Sequence, residues 1–169
     1  MKKVTKHKKG FTLIEVIIYT ALFSLLMGTA FVTAFGLIEG SGKLSAKTTT
    51  QEEGNFVLRK INWALTGISN DTADITNPPK VAPYTSSTLL IKKWLMGTKI
   101  SVLIDYDVAN NRIMMQEGGG SLLPITTANV KVSSLNFKYL PTSGGAPAGV
   151  TATVKIDGID FNITKYVRK

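Results

Sequence analysis

One apolar segment near the N-terminus constrains this chain more than any other feature. Residues 11–38 contain a single charged side chain, Glu15, and residues 16–38 contain none. As a helix, a segment of this length measures about 42 Å, whereas a bilayer core of roughly 30 Å needs about 20 apolar residues. The segment is therefore long enough to cross a membrane as one helix.

The net charge of +9 is concentrated in front of this segment. The first ten residues hold five of the 20 basic residues and no acidic one: Lys2, Lys3, Lys6, Lys8 and Lys9. The rest of the chain has 15 basic and 11 acidic residues, a net charge of only +4. By the positive-inside rule, this asymmetry predicts a cytoplasmic N-terminus and a C-terminal part outside the membrane. The basic charge thus predicts membrane orientation and not a DNA-binding surface.

A conventional secretory signal is the first alternative. Such signals have an apolar region of about 7 to 15 residues and are cut on its far side. The segment here is longer, although Val32, Thr33 and Ala34 include the small residues that a signal peptidase accepts. An ordinary single-span anchored protein, or a secreted β domain, is therefore kept as an alternative.

The residues that most catalytic sites require are scarce. The chain has no cysteine, and its one histidine, His7, lies in the basic segment. Zinc, haem and serine–histidine chemistry are therefore largely excluded. Calcium ligands near Asp105 fail the EF-hand pattern, because Ala109 and Gln116 occupy ligand positions. We find no nucleophile, base or metal cluster, so we expect no enzymatic activity and no cofactor.

A long helix is expected to continue beyond the apolar segment, because no proline occurs before Pro78. Apolar residues return at helical spacing and predict a face that docks on the rest of the chain: Leu58, Ile61, Leu65 and Ile68, with Phe56 and Trp63 nearby. Residues 67–79 are rich in Ser, Asn, Asp, Thr and Pro, and predict the helix end and a loop.

From Thr88 onward the hydrophobic pattern changes to the period of a strand. Asp157-Gly158 predicts a type I′ hairpin turn, which pairs Ile156 with Ile159 and gives one apolar and one polar face. Three further strand regions are expected. Residues 100–108 and 112–117 should form a hairpin that turns at Asn110-Asn111, and its register stays open by one residue. Residues 130–140 should form a strand with a bulge at Ser133-Ser134, and residues 89–95 should form another strand.

The sequence from Gly10 to Val16, Gly-Phe-Thr-Leu-Ile-Glu-Val after Lys8-Lys9, resembles the class III signal of type IV prepilins and pseudopilins. The resemblance implies an α+β pilin-like fold, in which a long N-terminal helix, membrane-spanning in its first half, packs on a C-terminal antiparallel β-sheet domain. The expected division is a cleaved leader (1–10), a transmembrane and filament-core half-helix (11–38), an amphipathic half-helix (39–68) and a β-rich globular domain (69–169).

The resemblance also implies the functional residues and partners. A membrane prepilin peptidase would cut between Gly10 and Phe11, and the new amine of Phe11 would be methylated. Glu15 would serve filament assembly by pairing with the N-terminal amine of a neighbouring subunit. A carboxylate within an apolar segment costs about 2.5 to 3.5 kcal/mol and is usually partnered. The alternative is an interfacial charge that reaches the lipid headgroups.

Residues 56–65 and 132–137 are similar to those of minor pilins of the pilus-tip or type II secretion group. The chain lacks the helix-kinking proline, at the position of Val32, and the C-terminal cysteine pair of many major pilins. We therefore expect a minor pilin or pseudopilin that also meets membrane lipid, sibling subunits and an inner-membrane assembly platform, and that ends in an extracellular or periplasmic filament.

A tip-located adhesive or DNA-uptake subunit, as in competence, is the alternative within the same family. Trp94 with Lys92 and Lys93 could stack on and neutralise single-stranded nucleic acid. A partly buried strand tryptophan is the commoner case, so nucleic acid is a partner that the family allows and that the sequence does not support.

Overall fold

The computed structural model describes residues 10–66, 68 and 74–167. These residues form one α-helix, α1 (Leu13–Leu65), followed by antiparallel strands. The strands are β1 (Ile75–Asn77), β2 (Thr85–Ser86), β3 (Leu89–Leu95), β4 (Thr98–Asp107), β5 (Arg112–Glu117), β6 (Leu123–Pro124), β7 (Val132–Leu140), β8 (Gly149–Ile156) and β9 (Ile159–Tyr166). The expected α+β class, a long N-terminal helix with a C-terminal antiparallel β domain, is confirmed.

The chain divides into two compact units, Met1–Ala46 and Lys47–Lys169. The described part of the first unit is almost entirely helical and remains helical through Gly36, Gly40 and Gly42. Its most apolar 18-residue window has a mean hydropathy of 2.0, and none of that window is buried. By length and composition, α1 can therefore cross a membrane.

The second unit contains two antiparallel sheets. One sheet has the strand order β1-β3-β4-β5-β6 and the other has the order β2-β7-β8-β9. A single buried cluster combines side chains from the C-terminal part of α1, such as Val57 and Ile61, with those of both sheets, such as Ile104 and Phe137. The unit thus has a continuous hydrophobic core of its own.

The C-terminal hairpin has the predicted register. Ile156 lies opposite Ile159, and the pairing continues without interruption to Gly149 and Tyr166. Asp157 and Gly158 both have positive φ, at 48° and 83°, as a type I′ turn requires. Alternate residues of β8 are buried, which confirms the predicted apolar face.

The bulge predicted in β7 is also confirmed. Val132 pairs with Ile156 and Ser134 with Lys155, so Ser133 is the extra residue. The strand begins at Val132, two residues later than expected.

The register left open at the second hairpin is now fixed. Asp107 pairs with Arg112, which makes residues 108–111 a four-residue loop around Asn110-Asn111. The strand predicted at residues 89–95 forms with the same bounds as β3.

The predicted buried stripe of α1 is confirmed at Ile61, Leu65 and Ile68 and was wrong at one position. Leu58 is only half-buried, whereas Val57 is fully buried. The buried face of α1 also begins earlier in the chain than predicted, at Thr50 and Gly54. A Cβ on Gly54 would overlap the ring of Phe161 in β9, so the helix approaches the sheet closely at a residue that has no side chain.

The loop expected at residues 67–79 was partly wrong, because β1 forms at its end and pairs with β3. Ile75 of β1 is buried, which explains why this short segment joins the sheet. Residues 67 and 69–73 lie outside the described residues.

Candidate functional site

The start of α1 is set by a cap at Thr12. The Thr12 hydroxyl oxygen accepts a hydrogen bond from the Glu15 backbone N–H at 3.4 Å, and the Thr12 carbonyl accepts from the same N–H at 3.1 Å. Thr at the N-cap with Glu three residues later is the capping-box sequence. Gly10 and Phe11 therefore precede the helix, and Phe11 is 76% exposed. The bond between them lies in a non-helical segment.

Glu15 occupies the third position of α1, close to the N-terminus of the helix. Negative charge is favoured there by the unpaired N–H groups and the helix dipole. Within residues 10–66, its side chain accepts one long hydrogen bond, from the Tyr19 hydroxyl to Glu15 Oε1 at 3.5 Å. None of the ion pairs among the described residues includes Glu15.

Phe11 and the side chains that follow Glu15 form an exposed apolar surface. They line a shallow groove on one side of the helix: Phe11, Val16, Tyr19, Thr20, Leu22, Phe23 and Leu26. Leu22 and Phe23 are 54% and 60% exposed. An apolar surface of this length requires lipid or other apolar helices to cover it.

The hydroxyl groups within the apolar part of α1 are bonded inside the helix. Thr20 donates to the Val16 carbonyl at 2.9 Å, Ser24 to the Thr20 carbonyl at 2.8 Å, and Thr33 to the Thr29 carbonyl at 2.8 Å. Thr29 donates to the Leu26 carbonyl at 2.9 Å. These bonds remove the cost of placing free donors in hydrocarbon. Sequence reasoning missed this feature, although hydroxyl residues in an apolar helix are its recognisable signal.

The residues weighed for nucleic-acid binding are not on one surface. Trp94 lies in β3 and is 53% exposed. Lys93 is 4% exposed; its Nζ donates to the Trp63 carbonyl at 2.7 Å and lies 3.7 Å from the centroid of the Trp63 ring. Burial lowers the pKa of Lys93, and the charge of Glu117 partly opposes this effect. Lys93 therefore caps the end of α1 and is not part of an exposed basic surface.

An exposed hairpin end lies next to Trp94. Leu95 pairs with Thr98, which leaves Met96-Gly97 as a two-residue turn. Met96 is 100% exposed and has a φ of 48°, a conformation usually occupied by Gly, Asn or Asp. Lys99 Nζ lies 5.8 Å from the centroid of the Trp94 ring. A large apolar side chain is thus presented to solvent where a small polar one would fit better.

The two aspartates that flank Tyr106 accept hydrogen bonds from neighbouring residues of the second unit. Asp107 accepts hydrogen bonds from the Ala109 N–H at 3.0 Å and from the Asn110 side-chain amide at 2.7 Å, and its bonds to Asn110 lower the pKa of its carboxyl group. Asp105 accepts from the Thr88 hydroxyl at 2.7 Å. Across the described ranges no group of three potential metal-ligating side chains of His, Cys, Asp or Glu is found.

Comparison with known families gives one match. A family model described as the prokaryotic N-terminal methylation motif matches residues 5–31, which include the segment before α1, Glu15 and the first turns of the apolar surface. No curated protein and no solved structure matches the chain significantly. The match therefore identifies the N-terminal segment, and the assignment of the β domain depends on its structure alone.

Proposed function

We propose that this chain, a type IV pilin-like prepilin, serves as a minor pilin or pseudopilin that enters a filament through α1. In this proposal it is first a single-pass protein of the cytoplasmic membrane with its C-terminal unit outside. It then becomes part of an extracellular or periplasmic filament. The observation that carries the proposal is the methylation motif at the start of an unburied apolar helix.

Cleavage between Gly10 and Phe11 is the first step of the proposal. Gly10 has no side chain to obstruct a peptidase, and a Cβ atom at this position would meet no described residue within 4 Å. The bond precedes the Thr12 cap, so cleavage would not unwind the helix. Removing the leader would remove its five lysines, whose charges hold the N-terminus on the cytoplasmic side. The apolar helix would then be free to leave the bilayer, and the new amine of Phe11 is the proposed site of methylation.

Assembly through Glu15 is the second step. The N-terminal amine, still cationic when methylated, would need a carboxylate once apolar helices exclude water. The position of Glu15 supports this role, because the only hydrogen bond of its carboxylate within the described residues is the long one from Tyr19. We propose that the amine of a neighbouring subunit binds it. The remaining surface of the helix would pack against siblings, after contact with lipid and with an inner-membrane assembly platform.

The decisive experiment follows the protein in its host. Mass spectrometry of the membrane fraction and of sheared filaments should find a mature form that begins at Phe11, with a methylated amine, in both. Deleting the prepilin peptidase should leave the full-length form in the membrane. Recovery of a form that begins at Phe35 would show that the signal-peptidase alternative is correct. A minor subunit should also be less abundant in filaments than its siblings.

A tip-located binding subunit is the second candidate, and the exposed Met96 and Trp94 favour it. Base stacking on an exposed aromatic ring contributes about 1 to 3 kcal/mol, so Trp94→Ala should weaken single-strand binding by about 5-fold to 150-fold if nucleic acid is the ligand. Tyr166→Ala, at another exposed aromatic residue, is the matched control. Equal binding by both variants and the unchanged protein would exclude nucleic acid at the β3–β4 turn.

A further inference from the structure

The edges of the two sheets differ greatly in length. Three edge strands are short: β1 has three residues, and β2 and β6 have two each. The fourth, β9, has eight residues and pairs regularly with β8 along its whole length. It contains no proline and no bulge, two of the devices that commonly protect an edge, although it carries Asp160 and Lys165. Of the four strands at the sheet edges in the described part of the chain, β9 is therefore the only one longer than three residues.

The hydrogen-bonding direction of β9 follows from its ends. A two-residue hairpin closes on a hydrogen-bonded pair, here Ile156 and Ile159. At the other end, the Val167 N–H donates to the Ala148 carbonyl at 2.8 Å. Odd-numbered residues therefore direct their backbone groups toward β8, and even-numbered residues direct theirs to the open edge.

Four residues present these outward backbone groups: Asp160, Asn162, Thr164 and Tyr166. All four have exposed side chains. Among the described residues, none of the backbone hydrogen bonds formed outside the helix and strand ladders involves them. The edge thus offers four N–H groups and four carbonyl groups at regular spacing, which is a template for an added strand.

We propose that this edge binds β9 of a second copy of the same chain, antiparallel, about a two-fold axis at Ile163. In this arrangement Asn162 lies opposite the partner's Thr164, and Asp160 lies opposite the partner's Tyr166. All four outward residues of each strand then take part, giving about eight backbone hydrogen bonds. Since directly opposed residues share a face, the polar outer side chains meet one another.

The charges of β9 are compatible with a second copy as the occupant. β9 carries one acidic and one basic side chain, Asp160 and Lys165, so it has no net charge with which to select a strongly acidic or basic peptide. In the proposed register Lys165 lies opposite the partner's Phe161, and the two Ile163 side chains meet at the axis. No like charges are opposed, which would otherwise destabilise the pair.

Two properties of the chain support such pairing. A two-fold interface closes after two copies, so it does not propagate into an uncontrolled sheet. Anchoring in a membrane confines the copies to one layer and raises their effective concentration, which compensates for a contact of modest area. The proposal does not depend on the filament role, because the edge belongs to the second unit and uses no residue of the N-terminal motif.

The absence of cysteine makes the test direct. Two tagged full-length chains, one with Asn162→Cys and one with Thr164→Cys, are co-expressed, and their membrane vesicles are treated with a mild oxidant. Opposed residues of an antiparallel hydrogen-bonded pair have Cα atoms about 5.5 Å apart, within disulfide range. The matched control is Asn136→Cys with Lys138→Cys. These exposed residues lie in the same cross-strand rows, two strands away in β7.

The mixed Asn162–Thr164 disulfide should form at least about tenfold more than the control disulfide, because only the edge residues come within bonding distance. Adding Asp160→Pro to both chains should reduce the yield, since proline removes an outward N–H without breaking the β8 ladder. Asp160→Ala, which keeps the N–H, should not reduce it. Equal yields for edge and control pairs, or cross-linking to a different protein instead of the second chain, would overturn the proposal.

Discussion

Gly54 of α1 lies against the aromatic ring of Phe161 in β9, with no room for a Cβ atom between them. A Gly54→Ala substitution therefore meets two opposing effects. Alanine improves helix propensity by about 1 kcal/mol, and overpacking costs about 1 to 3 kcal/mol. Because the neighbour is a ring in a paired strand, we expect net destabilisation of the second unit, measured by chemical denaturation.

Two companion variants identify the cause. Gly42→Ala, in the same helix but with open space at its Cβ position, should be neutral or slightly stabilising. Phe161→Leu should be less harmful in the Gly54→Ala background than in the unchanged protein, because the smaller side chain makes room for the methyl group. Additive effects of the two substitutions would contradict the packing explanation.

The type I′ turn gives a second prediction. Gly158 has a φ of 83°, where a β-branched residue is strained. Gly158→Val should lower the free energy of unfolding by more than about 1 kcal/mol. Gly158→Asn is the control, since asparagine tolerates positive φ, and it should cost clearly less. Similar losses for both would mean that the turn conformation is not what stabilises the hairpin.

Glu15 gives a third prediction, on assembly. Glu15→Gln removes the charge and keeps the shape, so membrane insertion, driven by the apolar residues that follow, should be unchanged. Incorporation into filaments should fall at least about tenfold, because an unpaired amine in an apolar bundle costs several kcal/mol. The measurement is the ratio of variant to unchanged protein in sheared filaments, normalised to the membrane pool, with both co-expressed.

Glu39→Gln is the matched control for this experiment. Glu39 lies on the same helix and pairs with Lys43 at 2.7 Å, but both side chains are well exposed. An exposed pair of this kind contributes little. Normal incorporation of the Glu39 variant with exclusion of the Glu15 variant would support the pairing role of Glu15. Equal incorporation of both variants would contradict that role.

Lys93 gives a fourth prediction, on pH dependence. Its pKa in the folded protein is lowered, so between that value and 10.5 the unfolded chain binds more protons than the folded one. The Lys93 contribution to stability therefore rises as pH increases through this window. Lys93→Met should remove that rise. The test compares the pH dependence of unfolding of the two proteins from neutral pH upward, and identical slopes would contradict it.

The sequence was sufficient for features that depend on neighbours along the chain. The register of the C-terminal hairpin followed from Asp157-Gly158 and from alternation on both sides. The bulge at Ser133 followed from a change of apolar phase within one strand. In both cases the deciding signal lay within about ten residues, so no knowledge of distant contacts was required.

The features that were missed depend on distant partners. Thr50 is buried because its hydroxyl donates to Asp157 Oδ2 at 2.8 Å, and Gly54 is buried because Phe161 covers it. Neither residue is apolar enough to mark a buried face. The Lys93 cap is similar, since it joins residues 30 positions apart. Strands of two residues, such as β2 and β6, carry too little pattern to be recognised.

The internally bonded hydroxyls of α1 have a mechanical consequence. A helix whose Thr and Ser donors are already satisfied by its own carbonyls imposes no fixed polar register on a neighbouring helix. Helices of this kind can slide past one another by small steps without leaving a hydroxyl donor unbonded. Each Glu15, if paired with an amine of a neighbouring subunit, would resist sliding at its own position. A filament built on this helix should therefore stretch before it breaks, with the resistance concentrated at the N-terminal ends of its subunits.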